Sequence, residues 1–165
     1  MNSNQRLSHL LCLEETSYYT KTLDVLPYMV IIKDNNDSIV WVNLEVLNKT
    51  GETCDRRLNG KKTHSILDFM PKDKYTKLDE EILITGESIL NTTDKLSTSK
   101  HKDMVVRVDK LPFIDPDTNK CIGVVTYIID ISDNIAEYLQ KYIHEVEFAN
   151  LRTITKKIIT NCLYN

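Results

Sequence analysis

Four histidines and one run of acids are the residues in this 165-residue chain best able to do chemistry, and their spacing argues against most of it. His9 and His144 fall in helical stretches near the termini, His64 in an irregular middle segment, and His101 in the polar turn "SKHKD". No two share the HExxH spacing that sets a pair of imidazoles one helical turn apart on a metal. Cys12, Cys54, Cys121 and Cys162 are spread along the chain without a CxxC pair, so four plain thiols are expected and no metal site. There is no G-x-S-x-G elbow, and the four glycines stand singly instead of forming a phosphate-cradling loop. Asp79, Glu80 and Glu81 in "LDEEIL" read as the wet face of a helix that buries Leu78 and Ile82. Catalysis is not expected.

The segment "YIHEVEFANLRT" places an acid after His144, as in a kinase phosphoacceptor helix. It lacks the "HELRTP" continuation, and Phe148 occupies the place four residues on where a small polar side chain belongs. Bulk properties exclude further classes. The formal charge is −3, with Lys and Arg scattered among Asp and Glu, so neither nucleic acid nor an anionic membrane is an expected partner. The longest apolar runs fall far short of the roughly 20 residues of a membrane span. The patch in "MNSNQRLSHLLCLEE" is too short for a signal-peptide core, so a cytoplasmic protein is expected.

The elements that would position any site are easier to read. Residues 5–22 look helical, with Leu7, Leu10, Leu11 and Tyr18 near one face. "YMVIIKDNNDSIVWVN" reads as a β-hairpin around an Asn- and Asp-rich turn. "NLEVLNKTG" reads as a short helix capped by Asn43 and closed by Gly51. Residues 52–70 look irregular, with short helical turns at most. A longer helix is expected from Pro71 to Gly86, burying Tyr75, Leu78, Ile82 and Leu83. Three strands follow, in "SILNTTDKLST", "MVVRVDKLPFI" and "CIGVVTYIIDI", with Pro112 marking an edge or a bulge. A last amphipathic helix runs to the C-terminus. Hairpin connections imply an antiparallel sheet and an α+β class.

In this order, "LPYMVIIKDNNDSIVWVN", "NLEVLNKTG", "RLNGKKTHSILDFMP", "ILITGES" and "VRVDKLPFIDPDTNKCIGVVTYIIDISD" resemble a PAS domain of the kind found in bacterial sensor proteins. Gly51, Gly60, Gly86, Gly123, Pro27 and Pro112 fall where that pattern has glycine and proline. The resemblance covers about residues 23–133. It implies three regions: an N-terminal capping or dimerisation helix (1–22), a PAS-like sensory domain (23–133) and a C-terminal signalling helix (134–165). It further implies a five-stranded antiparallel sheet with short helices on one face, wrapped around a small cavity.

What fills that cavity is constrained residue by residue. In the flavin-binding light-oxygen-voltage subgroup a cysteine follows the glycine of a "GKNCRFLQ"-like motif by three. Here the stretch is "GKKTHSIL", and Thr63 excludes flavin–cysteinyl photochemistry. Haem is disfavoured because residues 72–85 hold no histidine for an axial ligand. By the parity of the family, Met29, Ile31, Val40, Val42, Val106, Val108, Thr126 and Ile128 point inward, covered by Leu67, Met70, Leu78 and Ile82. Such a set either packs solid or leaves an apolar pocket for a small apolar ligand.

The opposite parity is also apolar. Val30, Ile32, Val125 and the expected interface residues Trp41, Tyr127 and Ile129 call for a cover, either the N-terminal helix, a second subunit in a homodimer, or both. "DIS" at 130–132 resembles the junction at which PAS domains hand over to an output helix. Asp130 and Ser132 are thus the expected relay to a downstream output domain or partner protein. The reading is a sensory module, with a ligand-free interaction module as the alternative.

Overall fold

The computed structural model describes residues 2–70 and 73–134, the side chains of 14–18 and 70 excepted. Strands β1 (Met29–Asp34) and β2 (Ile39–Val42) form the expected hairpin. Asp34 shapes the turn: its Oδ1 accepts hydrogen bonds from the backbone N–H of Asn36 and of Ser38, each at 2.9 Å. Helix α3 (Leu44–Thr50) begins on Asn43 and closes on Gly51, whose φ of 78° is left-handed. Asn43 is fully buried, and its side chain makes four hydrogen bonds. Its Oδ1 accepts from Val46 and Val30 N–H, and its amide donates to the carbonyls of Leu23 and Tyr28. One capping residue therefore ties α3 to β1 and to the chain that precedes it.

Helix α4 (Lys74–Thr85) ends at Gly86, again left-handed, while its expected start at Pro71 lies outside the described residues. The long strands β4 (Ile89–Ser97), β5 (Met104–Ile114) and β6 (Cys121–Asp130) follow. Strand β6 returns to pair with β1, so the first and last strands lie side by side in the sheet. Pro112 sits beyond the last β4 partner, Ile89 against Lys110, and immediately before a shift of register at Phe113 and Ile114. The class is α+β with an antiparallel sheet, as the sequence implies.

The sheet has six strands, not five, in the order β2-β1-β6-β5-β4-β3. The added edge strand, β3 (Asp68–Met70), lies in the stretch read as irregular and pairs Phe69 with Leu96. Three residues are too few for alternation to show. Two 3-10 turns, Asp55–Arg57 and Thr63–Ser65, also lie in that stretch.

The single N-terminal helix expected over 5–22 is two helices, α1 (Ser3–Cys12) and α2 (Glu14–Asp24), broken where Leu13 turns extended at ψ 143°. Helix α1 lies on the outer face of the sheet, burying Leu7 against Ile32 and Val40, with Leu11, Trp41, Phe113 and Val125 around them. Arg6 fastens it: its Nε and Nη2 donate to the Asp115 carboxylate at 3.0 and 2.8 Å, and it also pairs with Asp117. Gly123 lies beneath Leu7 of this helix. A Cβ there would collide with the Lys33 carbonyl and with Leu7. A separate unit begins at Ile131. Its described part is a 3-10 turn, Ser132–Asn134, and the expected C-terminal helix from residue 135 on, His144 included, lies outside the described residues.

Candidate functional site

The inner face of the sheet is set by alternation, with one interruption. On β1, Met29, Ile31 and Lys33 share a face. On β5, Val106, Val108 and Lys110 do, and Lys110 stands opposite Thr126 of β6. On β2 the pairing shifts between Ile32 and Lys33, so that Ile31 faces Val42 but Lys33 faces Ile39. This bulge leaves Val40 over, and it turns to the outer face beside Leu7 and Ile32. The inward placement expected for Val40 is therefore corrected, and Ile39 takes that place in the core.

Two lysines were absent from the expected inner set. Lys33 and Lys110 are 3 % and 2 % exposed, and both ammoniums bond the same carboxylate, that of Asp79 on α4. Asp79 Oδ1 accepts from Lys110 Nζ at 2.5 Å, and Oδ2 from Lys33 Nζ. Lys110 also reaches Thr126 Oγ1 at 3.4 Å, and Lys33 reaches Asp37 Oδ1 at 2.7 Å. Asp79 is thus not on the wet face of α4: it is buried, four residues after buried Tyr75 and three before buried Ile82, whereas Leu78 is only partly buried. Helical spacing puts residues 75, 79 and 82 on one stripe.

Burial, and then the charge of Lys33, push the Lys110 ammonium down to a pKa of about 8, against the pull of Asp79. Its Nζ lies 5.2 Å from the centre of the Tyr75 ring. Burial also raises the Tyr75 hydroxyl, helped by its hydrogen bond of 2.7 Å to Asp94.

This cluster borders a cavity of about 340 Å³. Four of the residues expected to line a pocket do so: Ile31, Leu67, Thr126 and Ile128. Met29, Val42, Val106 and Val108 are packed into the adjoining core, and Ile82 is buried beneath α4. The Met70 side chain lies outside the described residues. Sequence reasoning did not place Lys33, Asp37, His64, Phe69, Tyr75 and Lys110 in the wall, so charged and polar groups interrupt a lining that was expected to be apolar throughout. Thr63 also lines it, and its hydroxyl is buried without a hydrogen-bond partner in the described structure.

The sequence matches no family model and no curated protein. Solved structures do match. A PAS domain from Colwellia psychrerythraea aligns at 11% identity over 73% of this chain and all of that one, with a TM-score of 0.59. A PAS domain of an HTR-like protein from Haloarcula marismortui aligns at 16% identity over 77% of this chain and 98% of that one, at 0.56. The fold is a PAS fold. The Vibrio cholera VqmA–ligand–DNA complex aligns at 16% identity and 0.61, over 78% of this chain, which spans 59% of the VqmA chain.

Within the PAS fold, Asp130 ends β6 two residues beyond Ile128, and its Oδ2 lies 3.4 Å from Lys49 Nζ on α3. Ser132 opens the 3-10 turn of the following unit. Trp41 packs under α1, Tyr127 meets Tyr28 edge-on with ring centres 6.2 Å apart, and both are half-buried, as is Ile129. The described residues hold no group of His, Cys, Asp and Glu suited to a metal ion, and no helix among them is long and apolar enough to cross a membrane.

Proposed function

We propose that this chain is a sensory PAS module of the cytoplasm that binds a small polar molecule in the cavity beside Lys33 and Lys110. The observation that carries this reading is the set of buried polar groups in a largely apolar wall: Lys33, Lys110, Thr126 and the Thr63 hydroxyl. Buried charges and an unpartnered hydroxyl cost stability unless something uses them, and a fold that needed only a core would fill the space with apolar side chains. Strand β6 supplies the route outward: Thr126 and Ile128 touch the cavity, and Asp130 ends the same strand. Occupancy that moves β6 would be felt at the Lys49–Asp130 pair and passed to residues beyond Ser132, and from there to an output domain or partner. The proposal includes a homodimer, with Trp41, Tyr127 and Ile129 near the seam. It does not include catalysis, because the one buried acid of the cluster is already held by two ammoniums.

Native mass spectrometry of the freshly purified protein, compared with the same sample denatured, tests the reading. An added small-molecule mass that disappears on denaturation is expected. A bare chain in a stable dimer would favour the alternative, an interaction module that senses nothing.

A further inference from the structure

The cavity is polarised from floor to rim. Its floor carries Lys33, Lys110 and Thr126, all under 5 % exposed, and its rim carries the exposed carboxylate of Asp73. Between them the wall is apolar, formed by Ile31, Leu67, Phe69 and Ile128. Each lysine directs two of its three N–H donors to described partners, Lys33 to Asp37 and Asp79, Lys110 to Asp79 and Thr126. This leaves one donor on each ammonium without a described hydrogen-bond partner, in the cavity that the unpartnered Thr63 hydroxyl also lines.

We propose, building on the sensory reading above, that the cavity takes a small apolar α-amino acid. Its carboxylate accepts from Lys33 and Lys110, its side chain lies along Ile31, Leu67 and Phe69, and its ammonium sits at the rim by Asp73. A carboxylate there meets two buried ammoniums, held between Asp79 and the partly exposed Asp37, at a buried floor where charge-assisted hydrogen bonds are strong. The depressed Lys110 agrees: burial, and then the charge of Lys33, oppose its proton, and a ligand carboxylate would favour it. A second negative charge on the ligand would face the acidic rim, and a simple amine would bring a cation to the lysines. A neutral apolar molecule would leave the donors unmatched. The volume, about 340 Å³, is at the small end for ligand pockets and suits a molecule of this size.

Calorimetry on the full chain decides it, with L-valine, L-leucine, L-isoleucine, L-methionine and L-phenylalanine as probes. The deaminated acid and decarboxylated amine of any binder are titrated beside it. At least one amino acid should bind, and both its counterparts should bind more weakly. Lys110→Met should weaken the amino acid and the deaminated acid alike, by about 10- to 100-fold. Asp73→Asn, at an exposed position that leaves the fold intact, should weaken the amino acid about two- to fivefold and leave the deaminated acid unchanged. Equal binding of amino acid and deaminated acid overturns the proposal. So does failure of all five probes while native spectra show some other bound mass, an outcome under which the sensory reading survives. A bare native spectrum, with no binding by these probes or by neutral, anionic and cationic small molecules, defeats both.

Discussion

The two faces of one sheet are built to opposite rules, although the same strands supply both. Ile32 faces out and Lys33 in; Val125 faces out and Thr126 in. Outside, α1 covers a dry apolar patch, and the charges that fasten it, Arg6 with Asp115 and Asp117, sit where Arg6 and Asp117 still reach water. Inside, two ammoniums and a carboxylate are buried beside an open cavity. The outer face needs only complementary shape, so it reads as structure. The inner face keeps polar groups that an apolar core would not need, so it reads as a site.

Breaking each face should show the difference, most strongly inside. Asp79→Ala leaves two buried ammoniums without their shared carboxylate, and chemical denaturation should record a loss of about 3–5 kcal/mol. Lys110→Met leaves Asp79 paired with Lys33 alone and should change stability by about 1 kcal/mol or less, in either direction. Equal losses for the two variants would mean that the carboxylate is not the hub of the cluster. On the outer face Leu7→Ala should cost about 2–3 kcal/mol, an ordinary cavity effect beneath α1. Gly123→Ala should cost about 1–3 kcal/mol by overpacking and should expose α1 to proteolysis, because the new methyl meets backbone as well as Leu7. Full protection of α1 in that variant would contradict the close approach.

Much of this was legible in the sequence. The hairpin, the Asn43 and Gly51 caps, the three long strands and the class follow from turn residues and alternation alone. The β2 bulge was not legible, because every residue of "IVWV" is apolar and no parity is favoured by composition. The charged cluster, by contrast, left a signal that went unused. One more step of alternation from Met29 and Ile31 reaches Lys33, and one more from Val106 and Val108 reaches Lys110. Asp79 likewise lies on the stripe of Tyr75 and Ile82, yet its place in "LDEEIL" makes it look solvated. A charged residue in phase with a buried stripe has to be read by its position, not by its type.

The finest contrast between the faces is in their response to pH. Lys110 has a folded pKa of about 8 against an ordinary 10.5, so from about pH 8 to 10.5 the unfolded chain holds the extra proton. This group therefore destabilises the fold fully below pH 8 and less as pH rises through that window. Between pH 7 and pH 9 the relief is about 1 kcal/mol, read as the stability of the wild type minus that of Lys110→Met, which cancels groups common to both. Asp115 runs the other way: the Arg6 guanidinium lowers it to about 2, so its contribution is present above about pH 4 and is lost as pH falls towards 2. Arg6→Ala should remove that acid loss without touching the alkaline gain. A wild-type curve parallel to that of Lys110→Met from pH 7 to 9 would show that burial and the charge of Lys33 do not depress Lys110, and would weaken the case for an anionic group on its remaining donor.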